Sequence, residues 1–178
     1  MGITHTALLI IDMQSGSFLE EKPIWKSDTL FNNINLLISM ADSKRVPVFL
    51  TKHNGKKGSL TEKGTPGWEI HPSIPLTGKE IIIEKNHPDA FHQTCLEQQL
   101  AAKNIKRIII AGIQSEICVD ATCRRAFSIG YDVVLVQDGH STKDSSIINA
   151  EHIIKHHNQV MKDWFASIMV TDDILFMF

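Results

Sequence analysis

The chain has 178 residues, enough for one ordinary domain with a full hydrophobic core and too few for two comfortable ones. A hydrophobic fraction of 43% with 21% charged residues is that of a soluble globular protein. A formal net charge of -2 gives no reason to expect nucleic acid or an anionic membrane as partner. No apolar run reaches the length of a membrane span, and MGITHTALLIID lacks the basic n-region of an export signal. Three cysteines without a framework spacing fit a reducing compartment, so a single cytoplasmic domain, residues 1–178, is expected.

Short, nearly continuous apolar runs recur along the chain, each followed by a helical pattern. The expected strands are residues 6–11 (TALLII), 46–51 (VPVFLT), 80–84 (EIIIE), 107–111 (RIIIA), 132–136 (DVVLV) and 167–170 (SIMV). Runs rich in Ile and Val without alternation suit strands buried on both faces, as in a parallel sheet. Pro47 cannot donate to a ladder, which makes the second run the least regular. Leu30, Ile34, Leu37, Ile38 and Ala41 share one helical face over residues 30–43. Thr94 is expected to cap a helix through Leu96, Leu100 and Ala101 that Asn104 ends. Residues 117–129 form a further helix stopped by Gly130, and Ser145 or Ser146 opens a long one towards Trp164. This alternation predicts an α/β, doubly wound sheet of about six strands. The long Gly-, Pro- and Lys-rich segment 52–78 is expected to be a binding or lid element.

In open α/β sheets the ligand crevice lies beyond the carboxyl ends of the strands. Asp12 follows the first run, Lys85 the third, and Cys118 the fourth after a five-residue turn. Singly, each has an ordinary explanation as a solvated strand end or a packing thiol. Together they form the set that a self-activated nucleophile needs. The carboxylate can accept the thiol proton, while the ammonium and a helix N-terminus stabilise the thiolate. Cys123 lies five residues beyond Cys118 and forms no CxxC unit with it, and Cys95 is expected to be a packing residue.

The segments Ile11-Asp12-Met13-Gln14 and Gly64-Thr65-Pro66-Gly67-Trp68-Glu69-Ile70-His71-Pro72 are followed by Lys85, Ala90-Phe91, Thr94 and Leu96. Next come Ala111-Gly112-Ile113-Gln114-Ser115-Glu116-Ile117-Cys118-Val119, Gly130-Tyr131-Asp132-Val133 and Gln137-Asp138-Gly139. In that order, and over essentially the whole chain, they resemble the isochorismatase-like cysteine hydrolases, relatives of the nicotinamidases. The resemblance implies a three-layer αβα sandwich, Rossmann-like, and an Asp–Lys–Cys triad carried onto Asp12, Lys85 and Cys118. It also implies a cis peptide before Gln114, which in relatives turns a backbone N–H inward. The N–H groups of Gln114 and Cys118 would then form the oxyanion hole. Gln14, Phe18, Trp68, Phe91 and Ile117 are the candidate pocket residues, with core or interface packing the competing reading for Trp68 and Phe91. Homo-oligomers are common in this family.

Nicotinamidases of the superfamily bind a metal through an Asp and histidines after the second strand. Here His53 stands where that Asp would be expected and Gly55 where a His would be, while His71 matches a general family position. No catalytic metal and no cofactor are therefore expected, which counts against nicotinamide as substrate. The isochorismatases proper lack the cysteine nucleophile, so Cys118 argues against that activity too. The family aromatic after the Asp-x-Gln motif falls one residue earlier than Phe18. His152 and His156 have a metal-compatible spacing without an evident third ligand, and read as a solvated helix face. The direction of His87 and His92 is open. The apolar end 174–178 is expected to pack on its own domain or across a subunit interface.

The leading reading is a hydrolase that cleaves a C–N bond of a small amide or carbamoyl substrate through a thioester. Hydrolysis of another small carbonyl or isochorismate-like compound is the alternative on the same residues. A non-catalytic binding module, with Cys118 as a packing or redox-sensing thiol, is the reading from a different class. A dinucleotide fold is set aside, because DMQSGS replaces the G-x-G-x-x-G turn after the first strand. With strand order 3-2-1-4-5-6, Lys85 would end two strands from Asp12, and only the resemblance brings the two together.

Overall fold

The computed structural model describes residues 5–19 and 21–177, with side chains through Leu175. Six strands form one parallel sheet: β1 (Thr6–Ile11), β2 (Val48–His53), β3 (Ile81–Lys85), β4 (Arg107–Ile113), β5 (Asp132–Ser141) and β6 (Ser167–Met169). Their order is β3-β2-β1-β4-β5-β6, so the chain winds outward from β1 in both directions. Each parallel crossover needs a return segment, which helices and one long loop supply. The helices are α1 (Ser27–Ser43), α2 (Leu96–Ala102), α3 (Asp120–Ser128), α4 (Ala150–Trp164) and α5 (Thr171–Met177).

The sheet is covered on both faces, which is why β1 reads as an unbroken apolar run. Leu8 and Ile10 join Ile34, Leu37, Ile38 and Ile174 in one core. Ala7, Leu9 and Ile11 join Leu96, Leu100, Cys123 and Met161 in the other. The expected three-layer αβα arrangement is the one that forms. Among the described residues no helix is long and apolar enough to cross a membrane.

Several boundaries move for local reasons. β2 starts after Pro47 and runs on to His53, which pairs with Lys85. The expected 117–129 helix becomes a wide π turn (Ser115–Val119) followed by α3. Neither Ser145 nor Ser146 opens α4: Asn149 accepts the His152 N–H at 3.0 Å, whereas Ser145 closes a turn before it. Thr94 accepts from Leu96 N at 3.2 Å, although Cys95 holds the cap position. Cys95 is exposed rather than packed. At the chain end Ile174 is fully buried against the α1 core, while the side chains of 176–178 lie outside the described residues.

Candidate active site

β1 ends at Ile11, and Asp12 directly after it adopts the left-handed conformation at φ 50°. That region is unfavourable for a residue with a Cβ, though Asp tolerates it better than most, and such strain concentrates at functional sites. Beside it, Gly112 on β4 has φ 120°, and a Cβ there would lie 2.2 Å from the Ile11 carbonyl oxygen. Glycine at this position lets β4 run flush against β1 just below Asp12. The following peptide, Ile113–Gln114, is cis. The π turn that begins at Ser115 then carries Cys118.

Asp12, Lys85 and Cys118 converge although they end three different strands or turns. Lys85 Nζ lies 2.6 Å from Asp12 Oδ2 and 3.3 Å from Cys118 Sγ, and also donates to the His87 carbonyl at 3.1 Å. The Lys85 side chain is wholly buried, and Asp12 is nearly so. An isolated charge of either sign would be very costly there, and the pair together with its hydrogen bonds is what makes the burial tolerable. The Cys118 thiol is pushed up to about 12, first by burial and then by the negative charge of Asp12, against the smaller opposing effect of Lys85. The expected stabilised thiolate is therefore corrected: the resting group is a thiol beside a carboxylate, because burial and Asp12 outweigh the ammonium. Such a carboxylate is placed to take the thiol proton when a substrate is attacked.

Thr51, not singled out in the sequence, completes this centre. It lies on β2, between the strands that end in Asp12 and Lys85. Its hydroxyl donates to Asp12 Oδ1 at 2.5 Å and accepts from Asp12 N at 3.0 Å. Its only sequence signal was a hydroxyl residue closing an otherwise apolar run.

A cavity of about 170 Å³ opens on the centre, lined by Asp12, Gln14, Ser17, His53, Thr61, Ile113, Gln114, Ile117 and Cys118. Of the candidate pocket residues, Gln14 and Ile117 are among this lining. Gln14 is fully buried, and its amide is committed: it accepts from His53 N at 2.8 Å and donates to the carbonyls of His53 and Trp68 at 3.0 and 2.9 Å. Phe18, Trp68 and Phe91 do not line the cavity. Phe18 instead packs against Phe31, tilted, and against His71, edge-on, at centroid distances of 4.7 and 5.1 Å. The Trp68 ring lies under the Lys52 ammonium, and Phe91 is buried in the core on the α2 side. The segment after β2 does reach the site through Thr61, held where the Leu60 carbonyl presses against Gly16 and Gly67.

The π turn is tied down from β5. Ser115 Oγ lies 2.7 Å from His140 Nδ1, and His140 Nε2 lies 3.1 Å from Asn158 Oδ1. Because the amide oxygen only accepts, His140 donates from Nε2 and accepts the Ser115 hydroxyl proton at Nδ1. Burial pushes His140 down to about 4, in keeping with a neutral ring. Thr142 donates to Glu116 at 2.9 Å one step further along. Ser115, His140 and Thr142 are residues that sequence reasoning missed.

Four histidines singled out in the sequence are not at the reacting groups. His87 and His92 stand exposed, edge to face at 4.5 Å, and His152 and His156 lie on the solvated face of α4. Among the described residues no group of three or more His, Cys, Asp and Glu side chains is arranged to hold a metal ion. A larger cavity, about 240 Å³, lies between α1, β5 and α4, but none of Asp12, Lys85 and Cys118 lines it.

A doubly wound parallel sheet with a thiol, carboxylate and ammonium gathered at its carboxyl edge is the architecture of an α/β hydrolytic enzyme. The chain belongs to the isochorismatase family: the Isochorismatase domain model matches residues 6–171. The isochorismatase family protein YddQ of Bacillus subtilis (strain 168) is 30% identical over 96% of this chain and 98% of its own. Nicotinamidase 3 of Arabidopsis thaliana is 32% identical over 81% of this chain and 77% of its own. Streptothricin hydrolase of Streptomyces noursei is 30% identical over 78% of this chain, which spans about 50% of that protein's length. Among solved structures, an isochorismatase from Pseudomonas putida KT2440 superposes with a TM-score of 0.91 at 31% identity, covering 97% of this chain and 91% of that one. The protein is thus a hydrolase of this family.

Proposed function

We propose that the protein hydrolyses a C–N bond of a small amide or carbamoyl compound, with Cys118 as nucleophile. The observation that carries this reading is the convergence of the Asp12 carboxylate, the Lys85 ammonium and the Cys118 thiol at the wall of one small cavity. Relatives named nicotinamidase and ureidoacrylate amidohydrolase support the bond type.

In this mechanism Asp12 takes the thiol proton as sulfur attacks the carbonyl carbon. The backbone N–H groups of Gln114 and Cys118 hold the oxyanion, where losing one donor typically slows a reaction about 10²–10³-fold. Asp12 then protonates the leaving amine, and the C–N bond breaks to leave a thioester. Water attacks the thioester as Asp12 accepts its proton. Collapse expels the sulfur, which regains that proton, and a carboxylic acid leaves. Lys85 offsets the negative charge as it passes between Asp12 and the reacting sulfur during the proton transfer.

The test is ammonia release from a panel of small primary amides, with mass spectrometry of the acid-quenched enzyme. An acyl adduct on the Cys118 peptide, absent in Cys118→Ala together with turnover, is the expected result. Turnover retained in Cys118→Ala would sink the proposal.

A further inference from the structure

His53 is the one imidazole among the described residues that line the cavity, and the mechanism leaves it unused. Its position is fixed from behind, because the Gln14 amide grips both its N–H and its carbonyl. Its ring atom Nδ1 is buried without a hydrogen-bond partner. Buried N–H groups without partners are rarer than buried bare acceptors, which puts the ring proton on Nε2. A charged imidazolium would need a proton on the orphaned Nδ1 as well. Burial and then the neighbouring Lys85 charge hold the ring below its ordinary pKa, in agreement. Nε2 makes no hydrogen bond to any described residue, so His53 adds an uncommitted, neutral donor to a lining that also holds the hydroxyls of Ser17 and Thr61 and the Gln114 amide.

The charges around the cavity restrict the ligand further. Among the described residues Asp12 is the one acidic side chain in its lining, and no lysine or arginine lines it. Lys85 is wholly buried and directed to Asp12, Cys118 and the His87 carbonyl. A carboxylate in the cavity would therefore find no free cation to pair with, because the nearby Lys85 ammonium is already taken up by Asp12, and leaving it unpaired disfavours anions. About 170 Å³ is also well below the roughly 300 Å³ at which pockets for drug-sized ligands begin.

We infer that His53 determines specificity, donating from Nε2 to a second acceptor on the acyl portion of a small, uncharged amide. This rests on the amidohydrolase reading for the bond cleaved, and adds the class of compound admitted.

The test is protection of Cys118 from iodoacetamide by three matched compounds: succinamide, butyramide and succinamate. Succinamide is uncharged with a second acceptor, butyramide lacks that acceptor, and succinamate carries it as an anion. Succinamide is expected to protect at about tenfold lower concentration than either of the others, the scale of one lost hydrogen bond to a buried donor. His53→Leu should erase that advantage by weakening protection by succinamide. His53→Gln, which returns an amide N–H near the Nε2 position, should restore it. Equal protection by all three, best protection by succinamate, no protection by any, or an advantage that survives in His53→Leu overturns the inference. The wild-type comparison stands even if the leucine variant does not fold. Selective protection without ammonia release would overturn the amidohydrolase reading alone, and ammonia release without selectivity would overturn this one alone.

Discussion

Lys85 Nζ and Asp12 Oδ2 stand 2.6 Å apart, although their strands are separated by the whole of β2. A lysine side chain is long enough to cross one strand, provided that the intervening strand offers a small polar residue there rather than a bulky apolar one. Thr51 is that residue, and its hydroxyl joins the pair by donating to the other oxygen of Asp12.

Thr51→Val keeps the shape of the side chain and removes the hydroxyl. Asp12 then loses a donor at Oδ1 and its own N–H loses an acceptor. The expected loss of stability is about 1–3 kcal/mol, measured by urea unfolding. Turnover should fall about tenfold or more as the carboxylate loses its orientation.

Removing Lys85 alone leaves a buried, unpaired carboxylate. Lys85→Met should therefore destabilise the fold by about 3–5 kcal/mol. Adding Asp12→Asn to that variant should recover a large part of the loss, because the uncompensated charge is gone. A double variant as unstable as the single would show that the pair contributes through packing instead.

The same two substitutions should act oppositely on the thiol. Asp12 holds the Cys118 pKa up and Lys85 draws it down. Asp12→Asn is thus expected to speed alkylation of Cys118 at pH 8 while abolishing hydrolysis, since thiolate is the reactive form. Lys85→Met should slow alkylation. The check is the alkylation rate against pH, located by peptide mass spectrometry among Cys95, Cys118 and Cys123; equal rates in both variants would contradict the electrostatic assignment.

His140 predicts a dependence of stability on acid. Its pKa falls from 6.5 to about 4 on folding, so below pH 6.5 the unfolded chain binds the proton first. The stabilisation is complete above the unfolded pKa and is lost as pH falls, by about 3 kcal/mol when pH approaches 4. Denaturant unfolding at pH 7.5 and 4.5 should show this loss in the wild type, reduced in His140→Gln by about the histidine's share.

Gly112→Ala places a methyl group 2.2 Å from the Ile11 carbonyl, in a backbone conformation that L-residues rarely adopt. Because backbone blocks it, β1 and β4 must separate. The expected loss is about 3 kcal/mol or more, read as a lowered Tm, with Asp12 displaced and activity lost. Gly130→Ala, at a helix end with open space around it, should cost only about 1 kcal/mol.

The apolar runs of all six strands and the doubly wound class were legible from the sequence. Strands buried on both faces need continuous Ile, Val and Leu, and that pattern is local. Asp12, Lys85 and Cys118 were legible as chemistry misplaced at the ends of such runs, because a charge or a thiol beside an apolar strand asks for a partner. What the linear pattern could not decide was who that partner is. The meeting of Lys85 with Asp12 depends on strand order and on the reach across Thr51, both set by long-range pairing. Phe18, Trp68 and Phe91 were aromatic enough for a pocket, yet composition alone does not separate a cavity wall from a packed core. Ser115 and His140 lie 25 residues apart, joined only once β5 extends beside β4. The thiol's state was decided by structure for the same reason. Its pKa depends on burial and on two charges from distant strands, and those distances exist only in the folded chain.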